Sequence, residues 1–252
     1  MNLLVKPFHL TPFEKNINQK ANINWDDIIA YVNDLAKGGV AIADSSDGWV
    51  DFPIIPTYVS STSMKFAGVD YTGIIQKGDK LYIDQSGNKY FYITAVTFST
   101  DTTVTVTGGS DYTVANATIV NPQFSKQATP QGFPLQHNWT PGFTGFSVNP
   151  TVTAAKFSIS GGMANVSYIQ NASGTSNATG FTITGLPISA GVSDESSANR
   201  LWIGRDNGVG GLIVYCYVSG TTLTVEKTWA TVASWTASGS KGLYQFTISY
   251  PI

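Results

Sequence analysis

Apolar and polar residues alternate along much of this chain with the two-residue period of a half-buried β-strand. Between residues 64 and 125 the alternation falls into short runs, "SMKFAG", "KLYID", "KYFYITAVTFS", "TTVTVTG" and "ATIVNPQFS", with turn residues between them. In "KLYID", Leu81 and Ile83 share one face and Tyr82 takes the other. "QSGN" then supplies a reversal before Tyr90, Phe91 and Tyr92 continue the pattern. Lys77, Lys80 and Lys89 are expected on the solvent face or at an edge. Runs so closely spaced predict a small β-barrel or compact sheet domain over residues 51–125.

A second series occupies residues 151–252: "AAKFSIS", "MANVSYIQ", "TGFTITGLPI", "RLWIGRD", "GLIVYCYV", "TLTVEKTW" and "GLYQFTISYPI". Strands of this length with Gly, Ser and Asn turns predict a C-terminal β-sandwich, jelly-roll-like. Between the two series, Pro and Gly dominate residues 126–150, which read as a linker. Its Phe133, Trp139, Phe143 and Phe146 are unusual for a solvated tether and are expected to pack between the domains, or alternatively to form a sugar-stacking shelf.

The period changes once, in "NINWDDIIAYVNDLAKGG". Asn24 suits an N-cap, Asp26 and Asp27 suit the positive end of a helix dipole, and Gly38 and Gly39 supply a stop. Trp25, Ile28, Ile29, Val32 and Leu35 then form an apolar stripe. That stripe either packs on the adjacent sheet or associates with copies of itself around a symmetry axis. Residues 1–50 are accordingly read as an arm and helix for attachment or oligomerisation, and the fold class as mainly β with this one short N-terminal helix.

Composition supports sheet over helix: of 252 residues only 12% are charged, while 12% are aromatic. A net charge of −2 gives no electrostatic footprint for nucleic acid. No apolar run is long enough to span a membrane, and prolines interrupt the opening "MNLLVKPFHLTPFEKN" before a secretory core can form. A soluble protein without an export signal or membrane insertion is expected.

Chemistry is sparse. The single cysteine, Cys216, lies in an apolar run and reads as a buried thiol. His9 and His137 have no neighbouring ligands at zinc spacing. Counting from Asp44 through Asp47 and Asp51, the sixth position of a calcium loop is Trp49 instead of glycine, so these aspartates read as turn formers. No nucleophile elbow, phosphate loop or dinucleotide fingerprint is present. A glycosidase would need two facing carboxylates. The C-terminal candidates are Asp194, Glu195, Asp206 and Glu226; Asp194 and Glu195 adjoin in a polar loop, and Glu226 with Lys227 reads as an exposed charge pair. These observations predict no catalytic residues, no metal and no cofactor, and a protein that is not an enzyme.

The stretch "TSMKFAGVDYTGIIQKGDKLYIDQSGNKYFYITAV", continued by "TTVTVTGGSDYTVANATIVNPQFS" and "TPQGFP", resembles a module of bacteriophage tail and fibre proteins. "AAKFSISGGMANVSYIQNASGTSNATGFTITGLPI" is similar to sandwich domains at the ends of phage structural proteins. The resemblance covers most of residues 60–190 and implies a virion component assembled in the host cytoplasm and carried on the tail or head surface. It implies a homotrimer, other virion proteins as partners through the N-terminal region, and a host cell-surface glycan or protein as receptor. A tail fibre or receptor-binding component is the leading expectation, and a head fibre or capsid decoration protein the alternative. From a different class, a carbohydrate-binding module would stack sugars on Trp202, Trp229 or Trp235, although tryptophans of such area more often lie in a core.

Overall fold

The computed structural model describes residues 47–191, 200–227 and 234–252. The chain divides into two compact units, Met1–Trp49 and Val50–Ile252. In the first, the described residues form a turn in which the Trp49 amide donates to Asp47 Oδ1 at 3.0 Å, a turn-forming role for that aspartate. The helix expected over residues 24–36, with Trp25, Ile28, Ile29, Val32 and Leu35, lies outside the described residues.

The second unit is built from strands. Its first sheet comprises β1 (Val50–Asp51), β2 (Thr57–Ser60), β3 (Ser63–Phe66), β4 (Lys80–Asp84), β5 (Asn88–Phe98), β6 (Thr102–Thr107) and β7 (Val120–Ser125). The order is β1-β7-β4-β5-β6-β3-β2, so the two end strands are neighbours in sequence. Phe52, in the connection between them, packs on Phe124 of β7 at 5.0 Å and on Phe66 of β3 at 4.5 Å. One side chain therefore touches strands near both ends of the sheet, which curls like a barrel around its core. Alternation works as the sequence predicts: Leu81 and Ile83 are fully buried and Tyr82 is not, while in β6 Val104 and Val106 point inward between threonines.

The remaining strands are β8 (His137–Asn138), β9 (Gly142–Thr144), β10 (Phe146–Val148), β11 (Thr151–Ser160), β12 (Met163–Ala172), β13 (Gly174–Ser176), β14 (Thr182–Thr184), β15 (Arg200–Asp206), β16 (Val209–Ser219), β17 (Thr222–Glu226), β18 (Ser240–Leu243) and β19 (Gln245–Pro251). Eight form a sheet in the order β10-β13-β18-β15-β16-β17-β14-β9, and four form a second in the order β19-β12-β11-β8. Both contribute to one core, with Phe157, Val166, Tyr168 and Phe246 from the smaller sheet meeting Val214, Cys216 and Leu243 from the larger.

The ends of the eight-stranded sheet, β9 and β10, are separated by Gly145 alone. Its φ of +88° is open to glycine, and a Cβ there would stand 2.2 Å from the Gly180 carbonyl oxygen. The chain turns this corner against the 177–181 connection, where Lys241 Nζ donates to the carbonyls of Ala178 at 2.9 Å and Gly180 at 2.8 Å. Lys241 is fully buried, its ammonium 4.9 Å from the Phe146 ring centroid. Burial pushes its pKa down to about 8, opposed by the charge of Asp206.

The first, curled sheet and the following sheets meet along β5. Three successive residues there, Phe91, Tyr92 and Ile93, are buried, which a strand with one wet face would not allow. Phe91 and Ile93 belong to the first core, whereas Tyr92 belongs to the second. Gly109 lies against β8, where a Cβ would approach the Asn138 carbonyl oxygen to 1.9 Å. Ser110 N–H donates to that oxygen at 2.8 Å, and Asn138 N–H donates to Asp111 Oδ2 at 2.7 Å. Residues 126–150 thus contain three short strands of the sheets themselves.

Lys80 corrects the sequence expectation. It is 4% exposed, its ammonium held over the aromatic groups of this seam, with Nζ 5.7 Å from the Tyr92 ring and 5.6 Å from the Phe133 ring.

Candidate interaction surface

Two of the tryptophans considered for sugar stacking, Trp202 and Trp235, turn toward the core. Trp235 is 3% exposed, donates Nε1–H to the Val225 carbonyl at 2.8 Å and meets Phe181 edge-on at 5.4 Å. Its large apolar area is spent on the core, which leaves no ring face for a ligand. Trp202 pairs across the ladder with the core residue Val214 and reaches Phe246 at 6.1 Å, so its ring also points inward, half-buried. Trp229 lies outside the described residues. The aromatics of 126–150 are likewise committed: Trp139 is 4% exposed, Phe133 packs on Tyr92 at 5.0 Å, and Phe146 packs on Phe181 at 5.0 Å.

Asp206 and Cys216 are tied into the fold. Asp206, 3% exposed, accepts from Lys227 Nζ at 2.6 Å and from Thr236 Oγ1 at 3.0 Å. Burial raises its pKa, but these hydrogen bonds outweigh it and hold the carboxyl below its ordinary value. Lys227 is therefore the partner of Asp206 across the sheet, correcting the exposed pair expected with Glu226. Burial pushes the Cys216 thiol up, away from reactivity. Asp194 and Glu195 lie outside the described residues. Among the described residues no three His, Cys, Asp or Glu side chains gather as a metal site would need.

His137 is fully buried where the two cores meet. Its Nε2–H donates to the Tyr90 carbonyl oxygen at 3.1 Å, and Nδ1 has no partner. Tyr92, Phe133 and Phe157 surround the ring at 5.3 to 5.5 Å. Burial lowers the imidazole pKa, more strongly than the Tyr90 carbonyl and the charge of Asp111 raise it.

What the structure leaves available is a sheet face. In the β15–β16 ladder Ile203 stands opposite Ile213, and Leu201 is two residues away on the same face. All three are strongly exposed. Tyr244, after β18, donates its amide to the Ile203 carbonyl at 3.2 Å. Its ring lies beneath the Arg205 guanidinium at 5.8 Å and beside Gly210, where a Cβ would stand 2.6 Å from the tyrosine hydroxyl. Sequence reasoning missed this face. The signal was present: "RLWIGRD" and "GLIVYCYV" carry apolar residues at successive positions, and only one of their two faces is needed for the core.

No family model, curated protein or solved structure matches this chain.

Proposed function

We propose that the chain is a bacteriophage virion structural protein, a homotrimeric tail-fibre or receptor-binding component that presents its C-terminal sheets to the host surface. On this reading those sheets form a jelly-roll-like β-sandwich, and the N-terminal arm and helix join other virion proteins. The receptor is a cell-surface glycan or protein, and the chain acts by assembly and binding rather than by catalysis.

The observation that carries the reading is the combination of two curled β bodies fastened to each other at His137, Asn138 and Gly109 with a mainly apolar sheet face left in water. A rigid scaffold with one sticky face suits a protein that works as part of a larger symmetric object. The sequence likeness to phage fibre modules supplies the kind of object.

Antibodies against the purified chain, used as gold label on phage particles in electron microscopy, test the proposal. Label at the tail is expected. Label on the capsid would favour a head fibre or decoration protein, and particles without label would overturn the virion assignment.

A further inference from the structure

The geometry points to the outer face of the β15–β16 hairpin as the surface on which a second copy of this chain packs. This rests on the homo-oligomeric reading above and says where its contact lies. Leu201 is 65% exposed, Ile203 57%, Ile213 66% and Tyr244 37%. Those fractions leave roughly 400 Å² of mainly apolar area in water, within the range of the largest patch on a typical monomer. A standard interface takes roughly 800 Å² from each partner, a little over half of it apolar. The apolar area on this face matches one side of such a contact.

The chemistry selects the occupant. On this face of β15 the charged side chain is Arg205, at the border and turned over the Tyr244 ring. Three copies with this face turned toward a common axis bury aliphatic against aliphatic, with Arg205 and Glu226, which stands opposite Tyr215 on the same face, as charges of opposite sign at its border, and a net charge of −2 adds little repulsion. A glycan is disfavoured, because leucine and isoleucine offer its hydroxyls no hydrogen bonds in place of water. Strand addition is disfavoured too: β15 and β16 are central in their sheet, β18 pairing with Gly204–Asp206 and β17 with Tyr215–Ser219, and the Ile203 carbonyl is taken by the Tyr244 amide. The contact is therefore sheet face against sheet face.

The test compares the full chain with Ile203→Lys and Ile213→Lys by light scattering coupled to size exclusion. Leu135→Lys, at a position 80% exposed on another segment, serves as control. The unsubstituted chain and the control are expected to share a mass that is a multiple of 26.9 kDa. Each isoleucine variant is expected to fall to the single-chain mass with an unchanged near-ultraviolet circular dichroism spectrum, its self-association weakened at least tenfold. Ile213→Thr keeps the branched shape suited to a strand and should weaken association in the same direction, which guards against a lysine variant that fails to fold. Variants that retain the oligomeric mass would overturn this surface while leaving the homo-oligomer standing. A single-chain mass for the unsubstituted protein at every concentration, or association through this face only with a different protein, would overturn the proposal. Particle labelling would then still decide the virion assignment.

Discussion

His137 Nε2 lies 3.1 Å from the carbonyl oxygen of Tyr90, and that bond joins β8 to β5 across the seam between the two cores. The unpartnered Nδ1 makes it sensitive to acid. Protonation would place a charge, and a donor without an acceptor, among Tyr92, Phe133 and Phe157.

Stability should consequently fall in mild acid. The folded pKa of His137 is below the ordinary 6.5 because of burial, with Tyr90 and Asp111 opposing. The unfolded chain therefore takes the proton first as pH drops. The stability associated with neutral His137 is complete above pH 6.5 and is lost progressively below it. Urea midpoints measured from pH 8 to pH 5 should bend downward below 6.5 in the native chain. His137→Gln, which can still donate to Tyr90, should show no bend there; an identical bend would contradict the assignment.

Lys241 closes the eight-stranded sheet through two carbonyls, those of Ala178 and Gly180. Lys241→Met removes the ammonium and leaves both acceptors buried without it. A loss of about 2 kcal/mol is expected, the scale of hydrogen bonds to a charged group and of buried acceptors left unsatisfied. Chemical denaturation at pH 7 checks this, and a change under about 1 kcal/mol, the typical scale of a lone net hydrogen bond, would show that the corner closes without the lysine.

Gly109 is the closest backbone approach at the seam, given its positive φ and the Asn138 carbonyl in the way of a Cβ. Gly109→Ala should cost about 3 kcal/mol through strain and displaced contacts. Gly161→Ala, also at positive φ but with open space around it, should cost about 1 kcal/mol. Thermal midpoints in that order are expected; equal losses would mean that only backbone strain matters at Gly109.

Trp235→Ala should destabilise by about 4 kcal/mol, as for other buried aromatics cut to alanine. Trp235→Phe should lose less, mainly the bond to Val225. Glycan-array binding by the folded Trp235→Phe protein should equal that of the native chain, and a selective loss of binding would restore the sugar-stacking role.

The strands themselves were legible because alternation reports which face is wet. Leu81, Tyr82 and Ile83 fell where the pattern put them. Three features were hidden for physical reasons. Strands β8, β9 and β10 are too short for a period to emerge and sit among prolines and glycines that read as linker. Lys80 looked like a surface charge because sequence does not show that the Tyr92 and Phe133 rings receive its ammonium. The apolar face at Ile203 and Ile213 was masked because a continuous apolar run gives no sign of which side the core takes. Trp235 followed the ordinary rule for large aromatics and went inside.

The most direct test of the central claim is the solution mass of the purified full chain, by light scattering coupled to size exclusion across a range of concentrations. A stable species at three times 26.9 kDa is expected. A species at 26.9 kDa throughout the range would contradict it.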